Sequence, residues 1–302
     1  MTIDAVLFET LEGKGGAIGL ITLNRPNALN ALNWEMCKAI QENLRLWEKE
    51  PHIKAVVIRG AGDKAFCAGG DVRHVYALGR EQHYDDIMAF FHDEYALNYQ
   101  ISRYSKPYIA FMDGITMGGG AGLSVHAKFR IGTERLVMAM PETGIGFFPD
   151  IGATYFLPRC PYEIGTYLGL SGDKIDAADA LYAQLIDYFI PSFHLDDVLD
   201  ALLKIDFDYE AFDKVGLLLD HFAVKTESSS LYQHREIIQA CFSHDTIEAI
   251  LLALKTQKNP WHEHLSDLWD YICEAKDIRN YQKITETSSQ ISTVLENLIC
   301  LN

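Results

Sequence analysis

Two neighbouring stretches decide the fold: PYIAFMD at residues 107–113 and MGGGAG at residues 117–122. The first is a short apolar run bounded by proline and aspartate, which predicts a β-strand. The second is a glycine turn that leads into LSVH at residues 123–126, where we expect a helix to begin. Such a turn exposes backbone N–H groups at the positive end of the helix dipole. It therefore suits an oxyanion or a phosphate.

Further strands and a helix precede this turn. Residues 17–23 and 54–59 are apolar or β-branched runs that predict two more strands. Between them, apolar residues recur at helical spacing behind two possible caps, Asn30 and Asn33. These apolar residues are Cys37, Ile40, Leu44 and Trp47. The order strand, helix, strand predicts an α/β fold with largely parallel pairing.

The composition of the chain changes after Gly172. Two further glycine clusters, FCAGGD at 66–71 and MPETGIG at 140–146, lie before this point, and only Gly216 lies after it. The later part carries apolar residues at helical spacing, which predicts a helical region. These residues are Leu199, Leu202, Leu203, Ile247, Ile250, Leu251 and Leu254. We therefore predict a core over residues 1–195 that holds the site, and a helical C-terminal region over 196–302.

Charge excludes several classes of partner. The 302 residues carry a formal net charge of −16 at pH 7, so we expect neither nucleic acid nor an anionic membrane surface as a partner. A phosphate-bearing ligand would need local cations. Those nearest the glycine clusters in sequence are Arg25, Lys64, Arg73 and Lys106.

Cysteine spacing and the N-terminal residues predict a cytoplasmic location. The six cysteines show no CxxC motif and no regular spacing, which is typical of free thiols in a reducing compartment. The first residues, MTIDA, have no targeting pattern, and no apolar run approaches the ~18 residues of a membrane helix.

Four common kinds of site are disfavoured. No GxGxxG or GxxxxGK[ST] fingerprint stands in a strand-to-helix context, which disfavours dinucleotide and P-loop sites. Ser124 follows a glycine run, but His126 replaces the last glycine of GxSxG, so Ser124 is interpreted as a helix residue. His262 and His264 are two residues apart and would face different directions on a helix. We predict no metal site.

The strongest polar signal is an acidic pair. Glu142 and Asp150 flank an apolar, glycine-rich stretch in which carboxylates would lose water. Desolvation raises a carboxyl pKa, as general acids and bases require. Alternatively, Glu142 could favour a helix dipole after Pro141, and Asp150 could be a turn residue.

Four motifs in order resemble one superfamily. FCAGGDVR at 66–73, DGITMGGG at 113–120, PET at 141–143 and FPDIG at 148–152 are similar to the enoyl-CoA hydratase/isomerase (crotonase) superfamily. The similarity runs from about Ile18 to about Leu254. It implies a spiral of ββα units with a helical C-terminal region, and a coenzyme A thioester as substrate. No cofactor is implied, because coenzyme A is part of the substrate.

The resemblance also assigns residues. It implies an oxyanion hole made by the N–H groups of Gly70 and Gly119, and a substrate-contacting carboxylate at Glu94. Arg25, Ala68 and Asp71 are expected to contact the coenzyme A portion.

The carboxylates select a branch of the superfamily. Hydratases hold water between two glutamates, and the first of these matches Gly122, which has no side chain to move a proton. The second matches Glu142, and Asp150 stands where hydratases commonly carry glycine. This pattern resembles the branch that hydrolyses 3-hydroxyisobutyryl-CoA in valine breakdown. It implies that Glu142 attacks the thioester or activates water, while Asp150 orients the substrate hydroxyl or assists proton transfer.

The C-terminal region departs from that branch. Members of that branch are expected to continue for several tens of residues more than this chain. The similarity of this chain to them ceases at about residue 272. Two alternatives therefore stay open: hydration or isomerisation of an enoyl-CoA, and an acyl-CoA binding protein with impaired turnover. A homo-oligomer is a further possibility.

Overall fold

The computed structural model describes residues 5–256. They form two compact units, 5–139 with 174–230, and 140–173 with 231–256. The predicted change in the chain after about residue 272 lies outside the described residues, as do His262 and His264.

A six-stranded sheet in the first unit carries the three predicted strands. In chain order its strands are β1 (Val6–Gly13), β2 (Gly16–Leu23), β3 (Ile53–Gly60), β5 (Tyr108–Met112), β7 (Phe129–Gly132) and β9 (Tyr188–Phe189). Spatial order follows chain order, and only the β1–β2 hairpin is antiparallel. The predicted parallel α/β fold is therefore confirmed.

A second, three-stranded sheet explains how the chain spirals. It contains β4 (Ala65–Cys67), β6 (Ile115–Met117) and β8 (Val137–Ala139), all parallel. The chain alternates between the sheets, since β3 is followed by β4, β5 by β6 and β7 by β8, with helices after each pair. Each turn of the spiral is thus a ββα unit, as predicted.

The described residues of the first unit form seven α-helices. They are α1 (Trp34–Lys49), α2 (Val72–Arg80), α3 (Tyr84–Ser102), α4 (Gly119–Ser124), α7 (Ala177–Tyr182), α8 (Leu195–Leu202) and α9 (Ala211–Phe222). Asn33 caps α1, since its side chain accepts a hydrogen bond from the N–H of Met36 at 2.9 Å. Asn30 has another task, because its amide donates to the carbonyls of Ala61 and Ala65.

The second unit is helical. It contains α5 (Ala153–Phe156), α6 (Ile164–Ser171), α10 (Ser230–Phe242) and α11 (Ile247–Thr256), with a short 3-10 helix at Pro141–Ile145. The aromatic rings of Tyr167 on α6 and Phe242 on α10 pack edge to face at 5.4 Å. No helix within residues 5–256 is long and apolar enough to cross a membrane.

The packing divides the chain at other positions than the predicted boundary at 195/196. Val198, Leu199 and Leu202 of α8 and Val215 and Leu219 of α9 are buried in the apolar core of the six-stranded sheet. Helices that follow residue 195 thus complete the core of the first unit. Sequence periodicity identifies such helices but does not say which sheet they cover. The assignment of functions to the predicted domains stays a prediction.

Burial of α8 predicts a difference between two leucines. Leu202→Ala removes a fully buried side chain and should lower the free energy of unfolding by about 2–5 kcal/mol. Leu217→Ala on α9 is the matched control, because Leu217 is 71% exposed and its loss should change stability by no more than about 0.5 kcal/mol. Urea denaturation of both variants measures this. Equal effects would contradict the packing of α8 on the sheet.

Candidate active site

The turn after β4 holds the first predicted donor, the N–H of Gly70. The N–H of Leu32 donates to the Gly69 carbonyl at 2.8 Å, and the N–H of Asp71 donates to the Leu32 carbonyl at 2.7 Å. The Gly69 carbonyl and the Gly70 N–H belong to one planar trans peptide group, so they point in opposite directions. The bond from Leu32 therefore turns the Gly70 N–H away from residue 32.

The second donor, the N–H of Gly119, belongs to the first residue of α4, which begins before the predicted start at residues 123–126 because the glycines themselves are helical. The Gly118 carbonyl accepts a hydrogen bond from the N–H of Gly122 at 3.1 Å, so the N–H on the other side of that peptide points out of the helix. A β-carbon at Gly119 would lie 3.2 Å from the nitrogen of Gly70. Within residues 5–256, neither N–H donates to a protein acceptor. Two adjacent free donors suit an oxygen that gains negative charge.

Helix α3 lies against both glycines. Phe90 is one turn from Glu94, and its Cζ atom would lie 3.4 Å from a β-carbon at Gly70. Glu94 is only 3% exposed, and a β-carbon at Gly119 would overlap its Oε1 atom. The structure thus brings together three predicted residues, Gly70, Gly119 and Glu94.

The thiol of Cys67, two residues before Gly69, is unsuited to be a nucleophile. Burial raises its pKa to about 12 and outweighs the opposing hydrogen bond to Gly69, and the charge of Glu94 makes a smaller contribution in the same direction as burial. A thiol with that pKa stays protonated near neutral pH. Ser124 is equally unsuited, because it is fully buried in α4 and its hydroxyl donates to the carbonyls of Gly120 and Ala121.

The three residues predicted to contact coenzyme A lie near one another. Arg25 Nη2 donates to Asp71 Oδ2 at 2.9 Å, and the N–H of Ala68 donates to the Leu29 carbonyl at 3.0 Å. The carboxylate of Asp71 also accepts from the N–H of His74 and caps α2. Arg25 and Asp71 are therefore partners of each other. Their contact with coenzyme A stays a prediction.

Glu142 and Asp150 lie in the second unit, and both are buried. Glu142 belongs to the 3-10 helix, where its carbonyl accepts from the N–H of Phe147 at 3.0 Å. Its carboxyl atom Oε2 is buried and has no hydrogen-bond partner among residues 5–256. Burial, and then the negative charge of Asp150, raise the pKa of Glu142 to about 8. A carboxyl group tuned to neutral pH suits proton transfer.

Sequence reasoning missed two residues. Leu32 fixes the direction of the Gly70 N–H through backbone atoms alone, and such a role leaves no side-chain signal in a sequence. Thr143, next to Glu142, buries its hydroxyl without a hydrogen-bond partner in the described part of the chain. A buried unpaired polar group is costly, so two such neighbours indicate a place for a ligand or water.

Known proteins resemble the chain over most of its length. The family described as enoyl-CoA hydratase/isomerase matches residues 18–274. A solved structure, a carnitinyl-CoA dehydratase from Mycobacterium thermoresistibile, superimposes with a TM-score of 0.80 at 34% identity. That match covers 93% of this chain and 82% of the other.

Two curated relatives carry the same name, 3-hydroxyisobutyryl-CoA hydrolase, mitochondrial. The one from Xenopus tropicalis is 43% identical over 254 residues, which cover 82% of this chain and 65% of the relative. The one from Rattus norvegicus is 41% identical over 259 residues, which cover 84% of this chain and 66% of the relative. The chain thus spans slightly less than two thirds of the length of these relatives.

The raised pKa of Glu142 makes a prediction about stability. An ordinary carboxyl group ionises near pH 4.5, so between pH 4.5 and 8 the unfolded chain releases a proton that the folded chain retains. The free energy of unfolding should therefore fall as pH rises through this window, by at most about 1.4 kcal/mol per pH unit. Glu142→Gln removes this loss.

Urea denaturation from pH 4.5 to 8.5 measures the effect. The stability difference between Glu142→Gln and the unsubstituted protein should grow with pH. Glu236→Gln is the control, because that side chain is 84% exposed and its substitution should give a constant difference. A constant difference for Glu142→Gln as well would show that its pKa is ordinary.

Proposed function

The chain belongs to the enoyl-CoA hydratase/isomerase family, and on that premise we propose that it hydrolyses a short 3-hydroxyacyl-CoA thioester, 3-hydroxyisobutyryl-CoA in particular. The observation that carries the proposal is the buried pair Glu142 and Asp150, with the pKa of Glu142 raised to about 8. The names of the curated relatives support the same substrate. Hydrolysis of this thioester would be a step of valine breakdown.

The adjacent N–H groups of Gly70 and Gly119 are proposed to bind the thioester carbonyl oxygen. Attack on the carbonyl carbon makes that oxygen an anion. Two N–H donors that already point towards the oxygen need no reorganisation when its charge develops. One such donor is worth roughly 3 to 4 kcal/mol of transition-state stabilisation. The absence of protein acceptors for both groups within residues 5–256 is consistent with this role.

Glu142 is proposed to open the thioester by one of two routes. In the first, its carboxylate bonds to the thioester carbon, the carbon–sulfur bond breaks, and coenzyme A leaves as a thiolate that takes a proton. Water then cleaves the resulting anhydride and restores Glu142. In the second, Glu142 takes a proton from the attacking water and returns it to the departing sulfur. Both routes begin with ionised Glu142.

The other two carboxylates are proposed to recognise the substrate. Asp150 would orient the hydroxyl group of the substrate or assist proton transfer. The negative charge of Asp150 also raises the pKa of Glu142. Glu94 would contact the substrate beside Gly119, against which its Oε1 atom lies.

Hydration of an enoyl-CoA is the alternative, and the names of solved structures at 33–34% identity favour it. Gly122, which stands at the position of the first hydratase glutamate, is buried in α4 and offers no acid–base group. Crotonyl-CoA separates the two reactions, since hydration removes its conjugated enoyl absorbance. We expect no such change. A cytoplasmic location and assembly into a homo-oligomer stay predictions.

Thiol release from 3-hydroxyisobutyryl-CoA, followed with a thiol-reactive dye, tests the hydrolase proposal. Glu142→Ala should lower kcat by about 10²- to 10⁴-fold, as expected for loss of a general base. Glu236→Gln should leave kcat unchanged. Release that does not depend on Glu142 would refute the mechanism. Binding without release would instead favour an acyl-CoA binding protein.

The pH dependence of the same assay provides a second prediction. Because ionised Glu142 starts either route, kcat/KM should rise about tenfold per pH unit at low pH and level off near pH 8. Asp150→Asn removes the negative charge that raises this pKa, so the midpoint should move to lower pH. A midpoint that moves to higher pH, or not at all, would contradict the assigned cause.

A further inference from the structure

We propose that Arg25 is a positioning residue that holds the Gly70 N–H in its direction. The inference rests on the proposed function, because it assigns a task within the same site. It differs from the expectation that Arg25 contacts the phosphates of coenzyme A. The bonds of its guanidinium group carry the argument.

The guanidinium group of Arg25 joins the two segments that pair at Leu32 and Gly70. Its Nη1 atom donates to the Ala31 carbonyl at 2.6 Å, and its Nη2 atom donates to Asp71 Oδ2 at 2.9 Å. Ala31 immediately precedes Leu32, and Asp71 immediately follows Gly70. One planar side chain therefore ties both ends of the parallel bridge that turns the Gly70 N–H outward.

The backbone of Arg25 is itself held in place. Its N–H donates to Asn30 Oδ1 at 2.9 Å, and the N–H of Asn30 donates back to the Arg25 carbonyl at 2.9 Å. The fully buried Asn30 amide also donates to the carbonyl of Ala65, the first residue of β4, at 2.8 Å. Arg25 thus acts from a segment that is anchored to the strand preceding Gly70.

Charge keeps the link intact. Burial alone would raise the pKa of Asp71, but the hydrogen bonds from Arg25 and from the N–H of His74 outweigh it and lower the pKa. Asp71 is therefore ionised near neutral pH. Arginine can make both bonds at once because its donors are fixed in a fork, whereas lysine offers a single charged nitrogen.

The glycine turn needs an outside restraint. Gly69 has a φ of +105°, which glycine alone adopts readily, and neither Gly69 nor Gly70 has a side chain to pack. Rotation of the peptide between them would remove one oxyanion donor. Loss of one such donor typically costs 10²- to 10³-fold in kcat.

Kinetics with two thioesters test the proposal. We compare 3-hydroxyisobutyryl-CoA with the N-acetylcysteamine thioester of the same acid, which lacks every phosphate. Arg25→Met should lower kcat at least tenfold on both substrates, with KM changed less than threefold. Arg25→Lys keeps the charge but not the forked pair of donors. Its kcat should lie between those of the unsubstituted protein and Arg25→Met. Asp71→Asn added to Arg25→Met should lower kcat little further, because Arg25→Met alone already removes the contact between these two side chains.

Arg45→Met is the matched control. Arg45 lies on α1, is exposed and bonds only to Gln41 among the described residues, so kcat should not change. A higher KM for the coenzyme A thioester alone, with kcat intact, would overturn the proposal in favour of phosphate binding. Unchanged kinetics of Arg25→Met on both thioesters would overturn it as well.

Hydrogen exchange separates this proposal from the hydrolase proposal. The N–H groups of Leu32 and Asp71 form the bridge, so Arg25→Met should make them exchange at least tenfold faster while the amides of β3 keep their rates. This readout needs no turnover. If the unsubstituted protein releases no thiol from either thioester, the hydrolase proposal fails, and exchange still decides on Arg25. Unchanged exchange at both amides would overturn the positioning role.

Discussion

The parallel register of β4 and β6 is the constraint on which the two glycine donors depend. Ala65 pairs with Ile115 and Cys67 with Thr116, so the two strands end at the same edge of the three-stranded sheet. Each strand is followed by a glycine turn, and the donors of Gly70 and Gly119 are adjacent for that reason. The spiral alternation between two sheets produces this register, since from β3 to β8 it places every second strand in the smaller sheet.

Burial of Glu142 lowers stability but gives the side chain a pKa that suits chemistry. A carboxyl group with a buried, unpaired oxygen next to another carboxylate weakens the fold at neutral pH. The same two causes give it a pKa at which it can exchange a proton during a reaction. The environment of Glu142 therefore lowers the stability of the fold and at the same time suits the side chain to proton transfer. The large apolar core of the six-stranded sheet offsets such a cost elsewhere in the protein.

Much of this arrangement could be predicted from the sequence, because strands, turns and caps are local. The apolar run at 107–113 and the cap at Asn33 follow from residue types alone, whereas the helix expected at 123–126 begins earlier, at Gly119. The family resemblance, now confirmed, supplied the spiral and the assignments of Glu142 and Asp150. The tasks of Leu32 and Asn30 could not be predicted, since both act across the chain on backbone atoms. The pairing of Arg25 with Asp71, 46 residues apart, is equally non-local.

The glycines at 118, 119 and 120 look interchangeable in the sequence, but each is required by a different neighbour. Gly118 has a φ of +47° with a ψ of −121°, a conformation that other residues rarely adopt. A β-carbon at Gly119 would overlap Glu94, and one at Gly120 would overlap the carbonyl of Cys67. During evolution, a change elsewhere could relieve one of these conflicts without relieving the other two. The three positions are therefore constrained independently, and a substitution tolerated at one of them would leave the other two glycines required.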